Sequence, residues 1–409
     1  MDGAVVCADV DWEALKQEIR EAAPSLGIDK IRFASADPFV ELRGILERHR
    51  ALGRESGFEE PDLDKRTRPE LSLRGARSII AVAVAYPSKL PNPPKSEPGA
   101  RRGIISRSAW GEDYHRVLRD RLSRLDAFVR ERVPWAETVW MSDTGVLVDR
   151  AVAERAGIGW IGKNCSIITP EFGSWVFLGE MITNLPFSPD EPVTEACGSC
   201  TKCIDFCPTG ALVGPGQLDA KKCLSFLTQT KGPIDDEYKE KMGNRLYGCD
   251  TCQIVCPHNR GKHAEHHPEF RPDPEKVKPL LIPLLSMNER VFREAYGASA
   301  ASWRGRKPIQ RNAVIALGNW RDPTAVPHLA RVLREDPRPV LRGTAAWALG
   351  KIGGDEALRA LEEARAAETD AYAVREIERA IARLKGGAGD AAPAGADGQP
   401  DRSSVACPQ

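Results

Sequence analysis

The sequence lacks a net charge, and it lacks any long apolar run. Lys and Arg together number 58, as do Asp and Glu, so a polyanion or a membrane surface would have to be bound by a local patch. Nowhere does the chain approach the roughly 18 consecutive apolar residues of a membrane helix, and its acidic first residues do not form the apolar core of an export signal. We therefore expect a soluble, cytoplasmic protein without a membrane span.

Residues 1–186 predict a mixed α/β domain. The run Ser78–Tyr86 is short, apolar and β-branched, which is typical of a strand buried on both faces. A second strand is predicted at 138–141. Apolar periodicity and helix-stop signals predict helices at 12–23, 113–132 and 146–156.

The C-terminal part of the chain repeats itself. The triplet Ala316-Leu317-Gly318 returns as Ala348-Leu349-Gly350, so the period is 32 residues. A period near this length with two apolar helical stripes predicts HEAT-like helical pairs over 302–385. Residues 263–301 are predicted to be a connector, and 386–409, which include Cys407, a disordered tail.

Cysteines dominate the middle of the chain, at 187–262. Eight of the 11 lie between Cys197 and Cys256, spaced too closely for comfortable disulfides but suitably for metal ligation. The first run, Cys197-x2-Cys200-x2-Cys203-x3-Cys207-Pro208, has the ferredoxin spacing in which the fourth thiolate crosses to a second 4Fe-4S cluster. The second run lacks its first cysteine.

Leu246 stands where that first cysteine should be, and Cys223 is the obvious substitute. The crossing rule then predicts two sets of four ligands. One set is Cys197, Cys200, Cys203 and Cys256, and the other is Cys207, Cys223, Cys249 and Cys252. Structural zinc and a disulfide framework are the alternatives, but neither requires the fourth cysteine followed by proline. Two clusters form a short path for electrons, which implies an acceptor at its end.

Four other features can each be explained by a structural role or by a functional one. The glycines of 157–162 match G-x-G-x-x-G, but they follow a predicted helix, which favours a helix stop and a tight loop over a dinucleotide site. Asp143 lies between a strand and a helix, where a carboxylate is more often an N-cap than a catalytic acid. Cys165 is interpreted as a buried thiol and His115 as a structural histidine.

A basic patch is present despite the neutral chain. Residues 301–350 hold nine Lys or Arg and three acids, a local net charge of +6. The basic residues are Arg304, Arg306, Lys307, Arg311, Arg321, Arg331, Arg334, Arg338 and Arg342. They are either a solvated helix face or a surface for a polyanion, which an extended helical repeat can offer.

Several motifs together resemble epoxyqueuosine reductases. They are Ile105-Ser106-Arg107, Asp113-Tyr114-His115, Asp143-Thr144-Gly145, the stretch 154–164, the ferredoxin run and the stretch 247–253. The resemblance covers about 11–385. It implies an α/β cobalamin-binding domain followed by a ferredoxin-like module with two 4Fe-4S clusters and an all-α HEAT-like helical-repeat domain. It also implies a monomer that takes electrons from an external low-potential donor and reduces epoxyqueuosine at the wobble position of tRNA to queuosine.

The same resemblance implies roles for individual residues. Asp143 would give a proton to the substrate oxygen, and we expect a desolvated pocket to raise its pKa for that purpose. The residues implied to line the cobalamin are Arg66, Asp143, Lys163, Asn164, Ser225 and Asp250. The chain departs from the family at Ser108, where tyrosine is common, and at Cys165, where threonine is common.

Two other functions are compatible with the cysteine pattern. A reductive dehalogenase would share the corrinoid core, but such proteins usually carry a twin-arginine export signal and do not end in a basic helical repeat. An electron-transfer adaptor would use the clusters as a relay and the repeats to bind a protein. Bound corrinoid distinguishes the adaptor, which needs none.

Overall fold

The computed structural model describes residues 10–386. Its strands are β1 (Lys30–Ser35), β2 (Ser78–Ala85), β3 (Ile104–Ile105), β4 (Thr138–Met141), β5 (Trp160–Ile161), β6 (Ile167–Ile168), β7 (Val176–Thr183), β8 (Leu212–Gly214), β9 (Gln217–Leu218) and β10 (Arg245–Tyr247). The predicted tail beyond residue 386, with Cys407, lies outside the described residues.

The helices divide between the domains. The first nine are α1 (Trp12–Ala22), α2 (Val40–Ala51), α3 (Leu63–Thr67), α4 (Tyr114–Arg132), α5 (Asp149–Arg155), α6 (Lys202–Asp205), α7 (Leu224–Gln229), α8 (Asp236–Met242) and α9 (Thr251–Ile254). The others are α10 (Pro274–Val277), α11 (Leu281–Ser286), α12 (Glu289–Tyr296), α13 (Arg306–Trp320), α14 (Val326–Glu335), α15 (Pro339–Ile352), α16 (Asp355–Ala367) and α17 (Ala371–Gly386).

A four-stranded antiparallel sheet organises the first domain, in the order β1-β2-β7-β4. Every residue of β2 is buried, because α1 and α4 pack on one face of the sheet and α5 on the other. A strand covered on both faces needs apolar residues at every position rather than at alternate ones. This confirms the strand predicted from the run Ser78–Tyr86.

The helix predicted at 146–156 is shorter than expected. It begins at Asp149, so the chain from Ser142 to Val148 forms a loop that follows β4. A Cβ atom at Gly145 would lie 2.5 Å from the side chain of Met141, which shows how closely this loop folds back on the strand. Asp143 therefore lies six residues before the helix, and interpreting it as the N-cap was wrong. The helix stop predicted at Gly157 is confirmed, because that residue is left-handed with φ +77°.

The C-terminal repeats are helical pairs, as predicted, with α13, α15 and α17 packed side by side. The repeated glycine marks the helix contacts. A Cβ atom at Gly318 would lie 2.9 Å from the Cα atom of Ala348, and one at Gly350 would lie 2.8 Å from the Cβ atom of Ala380. The 32-residue period in the sequence is thus the spacing of successive close helix contacts.

The predicted connector at 263–301 is not merely a linker. Its helices α11 and α12 bury Leu281, Leu284 and Phe292 in the same core as the repeats. Near its start, Asp29 ties it to the sheet domain through His266 Nε2 at 2.6 Å and His267 Nε2 at 2.7 Å. Within residues 10–386, none of the helices combines the length and apolar character needed to cross a membrane.

Candidate active site

The eight clustered thiols lie in two groups. Cys197, Cys200, Cys203 and Cys256 line one cavity, together with Lys163, Asn164, Ile168, Pro257 and His258. The helices α6 and α9, which carry Cys203 and Cys252, pack against each other and bring the two cysteine runs together. The nine cysteines within residues 10–386 are all free thiols, which suits metal ligation rather than a disulfide framework.

The second group surrounds Cys223. Burial, with added contributions from the neighbouring Cys249 and Cys207, raises the pKa of the Cys223 thiol to about 11. Burial also raises the pKa of Cys252 well above its usual value, with added contributions from Cys249 and Cys223. These four thiols are the second set that the crossing rule predicts. Leu246 is fully buried on β10, so its position belongs to the apolar core.

Lys163 and Asn164 line the same cavity as the first group of thiols. The backbone N–H of Lys163 points to Cys197 Sγ at 3.5 Å, and its Nζ donates to the carbonyl oxygen of Gly198 at 2.7 Å. Asn164 is buried, and its Oδ1 accepts from the N–H of Ser166 at 3.2 Å. Among the described residues, Asn164 Nδ2 has no hydrogen-bond partner. A bound group with a carbonyl oxygen would satisfy it.

The other residues implied for the cobalamin lie on separate elements. The Asp250 carboxylate accepts two hydrogen bonds from Arg107, from its N–H and its Nη1, each at 3.0 Å. Ser225 lies on α7, where its carbonyl oxygen accepts from Thr228 Oγ1 at 2.9 Å. Arg66 is buried on α3, and burial lowers the pKa of its guanidinium.

Asp143 forms a hydrogen-bonded cluster with the first turn of α4. Its Oδ2 accepts from Tyr114 Oη at 2.6 Å and lies 3.2 Å from His115 Nε2. On the other side of the imidazole, His115 Nδ1 lies 2.7 Å from Asp113 Oδ1. The Asp143 side chain is 63% exposed, so a substrate can reach it. Its own N–H donates to Asp149 Oδ2 at 2.6 Å.

The protonation of this cluster differs from the sequence-based expectation. The hydrogen bond from His115 holds the pKa of the Asp143 carboxyl below its usual range, and Tyr114 adds to the effect. Although burial opposes the charge on His115, its bonds to Asp113 and Asp143 raise the pKa of the imidazole to about 9. The expected raised pKa of Asp143 was therefore wrong. At neutral pH the acidic proton of the pair resides on His115.

The sequence-based interpretation missed that His115 and Tyr114 are hydrogen-bonded to Asp143. Asp113 is the N-cap of α4 and accepts from the N–H of His115 at 3.1 Å, which places the imidazole between two carboxylates. Tyr114 stacks on His115 with ring centroids 4.0 Å apart and on Phe177 at 4.4 Å. The triplet Asp-Tyr-His at a helix start was the available signal, but pairing it with Asp143 required the tertiary fold.

Much of the basic patch is paired within the protein. Arg311 is only 2% exposed and donates to the carbonyl oxygens of Leu227, Thr230 and Gly232. Four more basic residues form ion pairs, and these are Arg306 with Glu289, Arg334 with Glu335, Arg338 with Asp336 and Arg342 with Glu368. The exposed side chains of Lys307, Arg321 and Arg331 are a smaller basic surface than the sequence predicts.

Sequence profiles of three families match this chain. Residues 66–144 match the family described as epoxyqueuosine reductase QueG, DUF1730. Residues 196–259 match the 4Fe-4S double cluster binding domain, and 299–382 match HEAT repeats. The double-cluster match covers all eight clustered cysteines.

Similar proteins share nearly the whole chain. An epoxyqueuosine reductase of Bacillus anthracis is 60% identical over 92% of this chain and 99% of its own length. One of Escherichia coli is 37% identical over 70% of this chain and 76% of its own.

Solved structures agree with these matches. A crystal structure of an epoxyqueuosine reductase with a tRNA-Tyr epoxyqueuosine-modified stem loop has a TM-score of 0.90 at 55% identity, covering 92% of this chain and all of that one. A structure of the Bacillus subtilis enzyme, with its catalytic loop swung out of the active site, has a TM-score of 0.89 at 55% identity, covering 91% of this chain and all of that one.

Proposed function

Because the chain belongs to the epoxyqueuosine reductase family, we propose that the Asp143 cluster is the acid of its reaction. The enzyme removes the epoxide oxygen of epoxyqueuosine and leaves the alkene of queuosine. The reaction consumes two electrons and two protons, and the oxygen departs as water. Electrons require a redox path and the oxygen requires an acid, so the site has to combine both.

The observation that best supports this proposal is the hydrogen-bonded pair of Asp143 and His115 at an exposed position. The imidazole, with its pKa raised to about 9, holds a proton across the neutral range. We propose that Asp143 passes this proton to the substrate oxygen and takes it from His115. Asp113 stabilises the imidazolium before the transfer through its 2.7 Å contact with Nδ1. Tyr114 holds the carboxylate in place from the side of Phe177.

The 4Fe-4S double cluster domain carries the electrons. We propose Cys197, Cys200, Cys203 and Cys256 as ligands of one cluster, and Cys207, Cys223, Cys249 and Cys252 as ligands of the other. The two groups of thiols have the chemistry that iron–sulfur clusters require. An external low-potential protein would supply the electrons, and a reducing cytoplasm would keep the thiols free. We also propose that the enzyme acts as a monomer.

Cobalamin is the proposed final electron carrier. The unpartnered Nδ2 of Asn164, among the described residues, fits a corrinoid, whose rim carries amide groups with free carbonyl oxygens. When bound and reduced, cobalamin supplies an electron pair to a carbon atom. The side chains that we propose to hold it are Arg66, Asp143, Lys163, Asn164, Ser225 and Asp250.

The proposed substrate is the anticodon stem loop of a tRNA, as in the similar crystal structure. The exposed Lys307, Arg321 and Arg331 can contact its phosphates. In the Bacillus subtilis relative the catalytic loop is found swung out of the active site. We propose that the loop from Ser142 to Val148, which carries Asp143, likewise moves between two positions.

Mass analysis of the product nucleoside tests this function. The anaerobically reconstituted enzyme, with cobalamin and a chemical reductant, is incubated with an epoxyqueuosine-containing stem loop. We expect the modified nucleoside to lose the mass of one oxygen, and only when cobalamin is added. An unchanged nucleoside with fully loaded enzyme would contradict the proposed function. Conversion without any corrinoid would contradict the role of cobalamin alone.

A further inference from the structure

Glu180 is a buried carboxyl group that the proposed reaction does not use. It lies on β7 directly opposite Met141 of β4, and it is only 1% exposed. Neither of its carboxyl oxygens has a hydrogen-bond partner among residues 10–386. A buried carboxylate without a partner is very costly, so the group is stable there only in its neutral, protonated form.

Asp149 connects this region to the Asp143 loop. It is the first residue of α5, which packs on the face of the sheet that Glu180 occupies. Its Oδ2 accepts the N–H of Asp143 at 2.6 Å. Asp143 itself has φ +49°, a left-handed conformation that a residue with a side chain rarely adopts unless its surroundings hold it there.

We propose that Asp149 is a positioning residue that holds the Asp143 loop in the active position, and that Glu180, because it is protonated, leaves Asp149 as the negatively charged one of the two carboxyl groups. The proposal rests on the proposed function, because it concerns delivery of the same proton. A charge-assisted hydrogen bond is roughly twice as strong as a neutral one. Ionised Asp149 therefore holds the loop more firmly than protonated Asp149.

The charges around the pair agree with this division. Burial raises the pKa of Asp149 to about 7, with the charge of Asp143 adding to the shift and the hydrogen bond from the Asp143 N–H and the charge of Arg150 opposing it. Burial raises the pKa of Glu180 well above its usual value, with Asp149 and Asp143 adding to it. The hydroxyl of Tyr114 on α4 also senses the charge of Asp149. Its pKa is raised, so Tyr114 stays neutral. Asp149 is thus the member that ionises near neutral pH.

The pair gives the reaction an unusual pH dependence. As the pH falls below about 7, Asp149 becomes protonated and its hold on the Asp143 N–H weakens. The single-turnover rate should therefore fall roughly tenfold between about pH 8 and pH 6, following the ionised fraction of a group with that pKa. An acid catalyst alone predicts no such fall, since His115, with its pKa raised to about 9, is already protonated over this range.

Three variants of the cobalamin-loaded enzyme test the proposal, with single turnover measured across this pH range. Asp149→Asn keeps an acceptor oxygen but no ionisable group, so the fall toward pH 6 should disappear. Glu180→Gln mimics the neutral acid, so both the rate and the pH profile should stay within about twofold of wild type. Asp120→Asn, at an exposed carboxylate on α4, is the matched control and should keep the wild-type profile.

Persistence of the acidic fall in Asp149→Asn, or its absence from the wild type, would overturn the proposal. A large loss of rate in Glu180→Gln with normal iron content would also overturn it, because Glu180 would then act as a charge. If Asp149→Asn fails to fold, the pH profiles of the wild type and of Glu180→Gln still test the proposal. Wild-type enzyme that converts no epoxyqueuosine at any pH would instead refute the proposed function.

Discussion

Asp143 and His115 are hydrogen-bonded through Oδ2 and Nε2 at 3.2 Å, although 27 residues separate them in the sequence. Their contact joins the loop after β4 to the first turn of α4. Because each group stabilises the charged form of the other, the pair holds its proton on the imidazole rather than on the carboxyl group. If this cluster is the acid, as we propose, substrate reduction should depend on both residues and not on Asp143 alone.

Replacing His115 should slow the reaction and change how its rate depends on pH in the alkaline range. In the wild type the imidazole loses its proton as the pH rises through about 9, so turnover should fall above that pH. His115→Gln should lower the single-turnover rate by roughly 10²–10⁴ and remove that alkaline limb. The pH profile of single turnover checks this. An unchanged rate in the variant would mean that the proton comes from another source.

Cys223 should be as necessary as the cysteines within the two runs. Cys223→Ala should lower the iron content from about eight to about four atoms per chain, since one of the two clusters loses a ligand. Cys165→Ala is the control and should keep all the iron. Iron analysis of the anaerobic protein measures both variants. A full iron content in Cys223→Ala would show that the ligand assignment is wrong.

The repeated glycines predict an unusual sign for a helix substitution. Within a helix, Gly→Ala normally stabilises by roughly 0.5–1 kcal/mol. Gly350→Ala should instead lower the free energy of unfolding by roughly 1–3 kcal/mol, because the new methyl group would press on Ala380. Gly44→Ala on α2, where the nearest atom is 3.5 Å away, should be neutral or stabilising. Chemical denaturation compares the two; equal effects would contradict the packing argument.

Two arginines of the basic stretch should behave differently. Arg311→Met leaves the carbonyl oxygens of Thr230 and Gly232 without their guanidinium donor, so the free energy of unfolding should fall by about 1–3 kcal/mol or more. Arg331→Ala should leave the stability unchanged, weaken stem-loop binding and reduce the salt slope by about one. Thermal unfolding and salt-dependent binding test both. Unchanged binding in Arg331→Ala would move the phosphate contacts elsewhere.

Local sequence patterns predicted the features that depend on neighbouring residues. The strand β2 was evident because both faces of the sheet are covered, so its apolar run is continuous. The helical repeats were evident because each unit repeats the glycine at which successive helices meet. The spacing of the two cysteine runs predicted how seven of the thiols are grouped, and the missing cysteine at Leu246 pointed to Cys223 as the eighth.

Features that depend on contacts between distant residues were missed. The start of α5 at Asp149 depends on the loop that packs back on Met141, and no helix-start signal at 146 reveals it. The sequence overestimated how many basic side chains of residues 301–350 are unpaired. Two of their acidic partners, Glu289 and Glu368, lie outside that stretch and were not counted. The pKa of Asp143 was misjudged because its two hydrogen-bond partners, Tyr114 and His115, lie on the distant helix α4.

The single-turnover rate of Asp143→Asn tests the central claim most directly. Asparagine has nearly the same volume and still accepts hydrogen bonds from Tyr114 and His115, but it cannot carry a proton to the substrate. We expect cobalamin absorption, iron content and stem-loop affinity to match the wild type while the rate falls by roughly 10²–10⁴. A wild-type rate with unchanged binding would contradict the account and leave Asp143 without a part in proton transfer.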